Sequence, residues 1–480
     1  MVRALAAARP VDSPTVMDLE RLVAALGANE VVGRAPVEVL DLAYDARSVT
    51  PGAVFFAVPG SQADGHDFAS EAVERGAVAL VVEHPVELPV PQIVVTDARA
   101  AMAVAADEFF GRPTEELEVV GVTGTSGKTT TSFLLFAMLA AAGRRPGLLG
   151  TVEARVGGER RGVKRTTPEA IELQRLFREM LDVGDRSCAM EASSHASELH
   201  RLDRVRFAAL IFTNLSQDHL DFHGDMESYF QAKRRLFLEP GTRAAVNVGD
   251  DYGRRLAAEL PDALTFGFAD DAEVGPAALE GIDVKLRGRF NLENALGALA
   301  AGRLLGIADD AIARGLESLR GVPGRFEAVD EGQPFAVIVD YAHKPGALEN
   351  VLHAARELAS AGRVISVIGA GGDRDRGKRP LMGKLASELA DVTIVTSDNP
   401  RSEEPQAIVD EILAGVTGDV EVELDRATAI TRAIEQARDG DVVLIAGKGA
   451  EQGQQFADRT IPFDDRAAAR DALRSLRAST

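Results

Sequence analysis

The chain has 480 residues, of which 46% are hydrophobic and 26% charged, and a formal net charge of −21. At about 100 to 200 residues per domain, this length predicts about three domains. The acidic balance argues against a nucleic-acid partner, because such binding depends on clustered Lys and Arg. A single cysteine, Cys188, excludes a disulfide framework and is expected to be a small buried hydrophobe. The apolar runs are too short to span a bilayer, so we expect a cytoplasmic protein.

Residues 1–113 are predicted to form a small α/β domain. Helical patterns cover residues 15–26, 69–75 and 100–110, and strand-like runs cover residues 53–58, 77–82 and 92–95. Two loops, residues 44–52 and 59–68, gather Asp, Arg, Gln and His at turns, and solvated loops explain them as well as a binding site does. Gly111 and Pro113 break the last helical pattern and predict a linker.

Residues 119–131, VVGVTGTSGKTTT, carry the strongest local signal in the chain. An apolar strand runs directly into glycines and then into a helix predicted over residues 129–142, so backbone N–H groups and the positive end of the helix dipole meet. This pattern is typical of a phosphate-binding loop, in which Lys128 reaches the β- and γ-phosphates and Thr129 binds Mg²⁺. The common spacing requires glycine at position 122, where this chain has Val122.

Residues 114–325 are predicted to form a second α/β domain with a mainly parallel sheet. The strand candidates are residues 117–123, 187–190, 207–213, 244–248 and 264–268. Polar clusters follow the first three strands: GTSGKTT, then EASSH at residues 191–195, then TNLSQDHLDFHG at residues 213–224. Because ligands of open α/β sheets bind at the carboxyl ends of strands, we expect these clusters to share one edge of the sheet.

Three polar groups in this part have both a functional and an ordinary explanation. Glu191 and His219, with Thr129, could hold a hard cation beside water and phosphate oxygens. Alternatively, Glu191 caps the next segment and His219 is a hydrogen-bonded loop histidine. Asn291 and Asn294 lie at a predicted helix start, where capping explains one of them and a nucleotide contact explains the pair.

Residues 229–237, YFQAKRRLF, predict an amphipathic helix with Lys233 between Tyr229 and Phe237 on one face. A lysine on such a stripe is expected to be half buried, which lowers its pKa. It could then react with CO₂, and the resulting carbamate would be an anionic ligand beside the metal. The alternative is a surface or salt-bridged lysine.

Residues 326–480 repeat the α/β alternation. Strands are predicted at residues 335–339, 364–368, 392–396 and 442–446, and helices at residues 347–361, 380–390, 405–414 and 427–437. Each strand runs into polar or glycine-rich residues. The turn GAGGDRD lacks the spacing of a dinucleotide fingerprint, so a dinucleotide site is not expected.

The motifs TGTSGKTT, TTPE, MEASSHA, NLSQDHLDFHG, SYFQAKRRLF, FNLENALGA, GRFE, DYAHKP, GGDRDRGKRPLMG, SDNPR and GKGAE together resemble the Mur ligases of peptidoglycan synthesis. Within them the chain is most similar to the type that adds meso-2,6-diaminopimelate to UDP-N-acetylmuramoyl-L-alanyl-D-glutamate. The resemblance implies an ATP-dependent amide ligase that acts through an acyl phosphate. It also implies a cytoplasmic monomer with no nucleic-acid partner and no membrane span. It also implies three domains: residues 1–113 for the UDP-substrate, 114–325 for ATP, and a Rossmann-like 326–480 for the amino acid.

The resemblance implies roles for particular residues. ATP contacts are expected at Gly124, Thr125, Ser126, Gly127, Lys128, Thr129, Thr130, Asn291, Asn294, Arg325 and Asp340. Mg²⁺ is expected at Thr129, Glu191, His219 and a carbamate on Lys233, and the catalytic residues are Lys128, Lys233, Glu191 and His219. UDP-muramyl-peptide contacts are expected at Tyr44, Ala46, Ser61, Gln62, Ala63, Thr166, Thr167, Ser193, Leu199 and Arg201. Diaminopimelate contacts are expected at Arg374, Asp398, Asn399, Pro400, Arg401, Gly447 and Glu451.

Arg401 favours diaminopimelate over lysine, since a guanidinium can bind the extra carboxylate through two hydrogen bonds and lysine-using relatives usually lack it. Three positions depart from the family pattern: Ser126 replaces Asn, Ala46 replaces Ser and Ala450 replaces His. Three alternatives remain open. The chain could ligate another amino acid such as L-lysine, it could be a ligase similar to folylpolyglutamate synthase, or it could be a nucleotide-binding regulator without turnover.

Overall fold

Three mainly parallel sheets follow one another along the chain, and each is covered by helices on both faces. The computed structural model describes residues 16–28, 30–33, 36–60 and 63–479. Within these residues, no helix is long and apolar enough to cross a membrane. The mixed α/β fold class predicted from the sequence is confirmed.

The first sheet has five strands in the order β2-β7-β6-β5-β4, and β1 and β3 form a separate two-stranded pair. Its elements are β1 (Met17–Asp18), α1 (Leu19–Leu26), β2 (Glu30–Val32), β3 (Glu38–Val39), β4 (Asp41–Ala43), β5 (Ala53–Phe56), α2 (Ala69–Glu74), β6 (Ala79–Val82), β7 (Gln92–Val94) and α3 (Ala98–Phe109). The helix predicted from residue 15 begins at Leu19, because Met17 and Asp18 pair with β3 instead.

The second sheet has eight strands in the order β11-β10-β9-β12-β8-β13-β14-β15. Its elements are β8 (Glu118–Thr123), α4 (Lys128–Ala141), β9 (Pro146–Leu149), β10 (Ala154–Val156), β11 (Glu159–Arg161), α5 (Ala170–Asp182), β12 (Ser187–Glu191), α6 (Ser194–Glu198), β13 (Phe207–Phe212), α7 (Leu220–His223), α8 (Met226–Arg234), β14 (Arg243–Asn247), α9 (Asp251–Glu259), β15 (Leu264–Phe266), α10 (Arg289–Leu304) and α11 (Asp309–Ser318).

The order of the second sheet determines where the polar clusters meet. Strand β8 lies between β12 and β13 and is parallel to both. Every residue of β12 is buried, as expected for a parallel strand with helices on both faces. The three clusters that follow these strands therefore lie at one edge of the sheet, which confirms the sequence expectation. Cys188 is buried within β12.

The third sheet has six strands in the order β16-β17-β21-β18-β19-β20, and β22 and β23 form a short hairpin. Its elements are β16 (Glu327–Ala328), β17 (Ala336–Asp340), α12 (Pro345–Ala359), β18 (Val364–Ile368), α13 (Lys378–Leu389), β19 (Val392–Val395), α14 (Pro405–Leu413), β20 (Glu421–Val422), α15 (Arg426–Gln436), β21 (Val442–Ala446), β22 (Gly453–Gln455), β23 (Thr460–Pro462) and α16 (Asp465–Ser479). All the predicted strands and helices of this part are present, with ends shifted by up to two residues.

Candidate active site

The loop between β8 and α4 has the glycine-rich conformation that the sequence predicts for a phosphate cradle, and we call this loop the cradle. Gly124 and Gly127 have φ angles of 145° and 89°, which residues with a side chain rarely adopt. A Cβ atom at Gly124 would collide with the Thr213 hydroxyl, and one at Gly127 would collide with the Asn294 amide. The glycines therefore let the loop pack against the neighbouring strand and helix while its N–H groups remain at the start of α4.

Lys128 folds back over this loop. Its Nζ donates hydrogen bonds to the carbonyl oxygens of Gly124 (2.8 Å) and Thr125 (3.0 Å). Burial, together with the positive charge of Lys344, lowers the pKa of Lys128 to about 8. An anion bound in the cradle would offset both effects and favour the charged lysine.

Glu191, at the end of β12, is 1% exposed and lies against the start of α4. Its Oε1 accepts hydrogen bonds from the Thr129 hydroxyl (3.0 Å) and from the Thr151 N–H (2.7 Å). The capping alternative for Glu191 is wrong, because Ser193 is the residue that caps α6. A buried carboxylate beside a threonine hydroxyl is a suitable donor set for a hard cation.

His219 has a φ angle of 54° and lies beside Asp218. Its Nε2 is 2.8 Å from Asp218 Oδ2, and Lys344 Nζ is 2.5 Å from the same oxygen. Burial acts to raise the pKa of Asp218, but the close contact with His219 and the charge of Lys344 outweigh it and hold that pKa far below its usual range. His195 lies edge-on to His219 with ring centroids 4.7 Å apart, and burial lowers the pKa of His195 to about 4.

Within the described ranges, no three His, Cys, Asp or Glu side chains converge as a metal-binding group. The two predicted ligands of these types, Glu191 and His219, both line the cavity beside the cradle. A small set of protein ligands fits Mg²⁺, which usually keeps waters and substrate phosphates among its ligands.

Lys233 is buried on α8, directly below the cradle, with 1% exposure. Its Nζ donates to the Gly124 carbonyl (3.0 Å) and lies 4.5 Å from the centre of the Tyr229 ring. Burial, followed by the charges of Lys128 and Lys344, lowers the pKa of Lys233 well below its usual value. The surface-lysine alternative is therefore wrong, and Lys233 is more deeply buried than the sequence predicted.

Arg325, the last residue of the second part, reaches the cradle, and Asp340 of the third part holds the segment that follows it. Arg325 donates to the Thr129 hydroxyl (3.1 Å), and its guanidinium lies 4.3 Å from the centre of the Tyr341 ring. Asp340, at the end of β17, accepts the N–H groups of Phe326 (2.6 Å) and Ala342 (2.7 Å) and so holds the connection to Arg325. Burial raises the pKa of Asp340.

Asn291 and Asn294 lie inside α10, since the helix begins at Arg289 with Gly288 as its N-cap. The capping explanation is therefore wrong for both. Asn294 Oδ1 accepts from the Thr131 hydroxyl (3.3 Å), and its Nδ2 donates to Asn291 Oδ1 (3.2 Å). The pair connects α10 to the start of α4.

A cavity of about 600 Å³ opens beside the cradle. The predicted site residues that line it are Thr125, Ser126, Gly127, Lys128, Thr129, Thr130, Thr166, Thr167, Glu191, Ser193, Arg201, His219, Lys233, Asn294, Arg325, Asp340 and Arg374. Within this wall, the Thr167 hydroxyl donates to the Glu191 carbonyl (2.7 Å), and Arg201 donates to the Thr167 carbonyl (3.2 Å).

The other predicted UDP-muramyl-peptide residues do not line this cavity. Tyr44 donates its hydroxyl to Glu172 (2.9 Å) and thereby joins the first sheet to α5. Ala46 is 5% exposed and packs in the interior of the first part, where a hydroxyl would face apolar neighbours. Leu199 ends α6, and Ala63 is exposed. Ser61 and Gln62 lie outside the described residues.

A second cavity, of about 500 Å³, adjoins the first. Of the residues predicted to bind diaminopimelate, Pro400 does not line it, and the others do: Arg374, Asp398, Asn399, Arg401, Gly447 and Glu451. Arg401 has a φ angle of 54°, and its Nη1 donates to the Gly372 carbonyl (2.6 Å). The residues that line both cavities include His219, Tyr341, Lys344 and Arg374, so groups bound in the two cavities would meet there.

Sequence reasoning missed two lysines in this region. Lys344 lines both cavities and pairs with Asp218 across the boundary between the second and third parts. Lys448 is fully buried behind the second cavity. Both lie in the motifs DYAHKP and GKGAE, directly after strands, and that position is the signal that could have found them.

A phosphate cradle at the carboxyl ends of parallel strands, with a buried carboxylate and an adjoining second cavity, defines a nucleotide-phosphate-binding α/β protein. Three family models match the chain: "Mur ligase family, catalytic domain" at residues 39–110, "Mur ligase middle domain" at residues 122–302, and "Mur ligase, glutamate ligase domain" at residues 324–449.

The similar proteins agree with these matches. The UDP-N-acetylmuramoyl-L-alanyl-D-glutamate–2,6-diaminopimelate ligase of Solibacter usitatus is 47% identical over 467 residues, 92% of this chain and 94% of its own length. The ligase of the same name from Geobacillus thermodenitrificans is 44% identical and covers 96% of this chain and 100% of its own. A solved structure of a ligase with this name has a TM-score of 0.66 at 30% identity, covering 93% and 97% of the two chains.

A crystal structure of a MurF ligase from Thermotoga maritima in complex with ADP is also similar to this structure. Its TM-score is 0.59 at 21% identity, and the match covers 91% of this chain and 97% of that one. At that identity the likeness concerns the fold alone. The chain belongs to the Mur ligase family, and it is accordingly an ATP-dependent amide ligase.

Proposed function

We propose that this ligase joins meso-2,6-diaminopimelate to UDP-N-acetylmuramoyl-L-alanyl-D-glutamate, with conversion of ATP to ADP and phosphate, in cytoplasmic peptidoglycan precursor synthesis. The observation that carries the proposal is the pair of adjoining cavities, one beside the phosphate cradle and one lined by Arg401. The relatives at 47% and 44% identity carry the name of this reaction and support the choice of substrates.

The proposed reaction has two steps. The terminal D-Glu carboxylate attacks the γ-phosphorus of ATP, ADP leaves, and an acyl phosphate forms. The amine of diaminopimelate then attacks the acyl carbon, phosphate leaves, an amide bond forms and the amine loses a proton. ATP supplies the phosphoryl group, and Mg²⁺ would neutralise part of the negative charge of its phosphates. The chain's own contribution is largely positioning and electrostatics.

Particular residues carry these tasks in the proposal. Lys128 would exchange the carbonyl oxygens of Gly124 and Thr125 for phosphate oxygens, which are stronger partners for an ammonium group. Thr129, Glu191 and His219 would hold Mg²⁺. Nucleotide contacts are proposed for Asn291, Asn294, Arg325 and Asp340, of which Arg325 already reaches the Thr129 hydroxyl. Thr166, Thr167, Ser193 and Arg201 would bind the muramyl peptide beside them.

We further propose that the three parts of the chain divide the substrates. Residues 1–113 would bind the UDP end, residues 114–325 ATP, and residues 326–480 the amino acid, within a monomer. The contact of Lys344 with Asp218 supports this division, since it holds the third part, with its amino-acid cavity, against the second part. Close contact of the two parts would exclude water, which otherwise hydrolyses the acyl phosphate.

Lys233 is proposed to carry a CO₂-derived carbamate that completes the metal site. The lowered pKa favours the neutral amine, which is the form that attacks CO₂. The product would place an anionic oxygen near the Gly124 carbonyl, beside the charges of Lys128 and Lys344.

Phosphate release in the presence of ATP, UDP-muramyl dipeptide and single amino acids tests the proposal. We expect release that depends on meso-diaminopimelate. Release with L-lysine instead would assign the ligation to another amino acid, and release with a folate and glutamate would assign a folylpolyglutamate-type reaction. If no amino acid stimulates phosphate release, the result would favour the hypothesis of a nucleotide-binding regulator without turnover.

A further inference from the structure

Lys448 lies between β21 and β22 with a side chain that is 0% exposed. Its Nζ donates to Asn399 Oδ1 (2.9 Å) and to Glu451 Oε2 (3.1 Å), and it lies 3.7 Å from Asp398 Oδ1. All three partners line the second cavity. A buried ammonium group is costly unless its donors are satisfied, and here the partners that satisfy it belong to the cavity wall.

A comparison with Arg426 shows what is particular about Lys448. Arg426 is equally buried, but it pairs with Asp465 of α16 at 2.7 Å and donates to the carbonyl oxygens of Ser397 and Ala446. These contacts join the ends of strands to the last helix, so the role of Arg426 is to stabilise the fold. Lys448 instead joins cavity side chains to one another, so its loss would alter the shape and charge of the cavity.

The network around Lys448 fixes two groups. Asn399 Oδ1 accepts from Lys448 and from the Gln455 N–H (3.0 Å), which directs Asn399 Nδ2 to Glu451 Oε2 (2.8 Å). In the part of the chain that the structure describes, the hydrogen bonds of the Glu451 carboxylate all go to Oε2. Its Oε1 keeps its lone pairs for an incoming ammonium group.

We propose that Lys448 is a positioning residue of the amino-acid site, which orients Glu451 through a shared hydrogen-bond network with Asn399 and partly neutralises the carboxylates of Asp398 and Glu451. It does not touch substrate. The inference rests on the proposed function, because it assumes that the second cavity takes the amine and carboxylate groups of the amino acid.

Steady-state kinetics of Lys448→Met test the inference. Loss of the network should raise the KM for meso-diaminopimelate about tenfold or more, while the KM for ATP stays within about twofold. Lys448→Gln keeps an N–H donor without the charge and should give a smaller increase. Lys384→Met, on an exposed side chain of the same part, is the matched control and should leave both KM values unchanged. Nucleotide binding measured at equilibrium establishes that each variant is folded.

A double-mutant cycle separates positioning from general destabilisation. If Lys448 acts through Glu451, adding Lys448→Met to Glu451→Gln should raise the amino-acid KM little beyond the larger single effect. Additive effects, or equal increases in the KM values for ATP and amino acid in both Lys448 variants, would overturn the inference. Failure of the wild-type protein to release phosphate with any amino acid would instead overturn the proposed function, so the two failures are distinguishable.

Discussion

The cradle and the amino-acid cavity are built in opposite ways. The cradle consists of one continuous loop between β8 and α4, whose backbone groups face the start of a helix. The amino-acid cavity is assembled from side chains of separate loops. For example, Lys448 donates a hydrogen bond to Asn399, which lies 49 residues earlier in the chain. A loop shaped by backbone groups tolerates changes of those side chains that contact neither the ligand nor the loop itself, whereas a site made of linked side chains depends on each of them. Substitutions in the two regions should therefore have different kinetic effects, on kcat at the cradle and on the KM for the amino acid at the cavity.

The largest effect is expected for Lys233→Ala, which acts at the cradle. Removal of the buried lysine deletes the hydrogen bond to the Gly124 carbonyl and the carbamate proposed there, so we expect kcat to fall by about 100-fold or more. The KM for the amino acid should change little, because Lys233 does not line the second cavity. Phosphate release measures both values, and added bicarbonate should not restore the variant.

Two measurements make the Lys233 prediction decisive. Wild-type protein in buffer with ¹³C-bicarbonate should show a carbamate carbon signal by NMR, and Lys233→Ala should lack it. Lys285→Ala, on an exposed side chain of the same part, serves as the control. Near-normal turnover of Lys233→Ala would remove the carbamate from the mechanism.

Arg401→Ala should have a smaller effect, confined to the amino-acid cavity. Loss of hydrogen bonds to a carboxylate costs about 1.5–3 kcal/mol, so the KM for meso-diaminopimelate should rise about 10- to 100-fold while the KM for ATP is unchanged. The preference over L-lysine, taken from kcat/KM for each, should shrink by a similar factor. Arg459→Ala, at a side chain 63% exposed, is the control. An unchanged preference would show that Arg401 does not recognise the second carboxylate.

The same contrast explains what the sequence predicts and what it does not. Local sequence patterns predict the cradle and the parallel strands, because residues 119–131 are contiguous. They also predict that the polar clusters lie at one edge of the sheet, because β8 lies between β12 and β13. The exact start of α10 does not follow, since neither Asn caps it: Asn294 accepts a hydrogen bond from Thr131 of α4, and Asn291 donates one to the Arg287 carbonyl. The sequence does not predict the partners of Lys448 either, because these contacts depend on the positions of β19 and β21 on the two sides of β18.

Ser126→Asn should have the smallest effect, although it changes the cradle itself. The backbone of Ser126 already makes the contacts that shape the loop: its N–H donates to Asn214 Oδ1 (3.0 Å), and its carbonyl accepts from the Thr213 hydroxyl (2.6 Å). Because these bonds do not involve the side chain, restoring the family's Asn should change kcat/KM for ATP by less than about threefold. A larger change would show that the side chain at 126 contacts the phosphates, and that the cradle is not a backbone site alone.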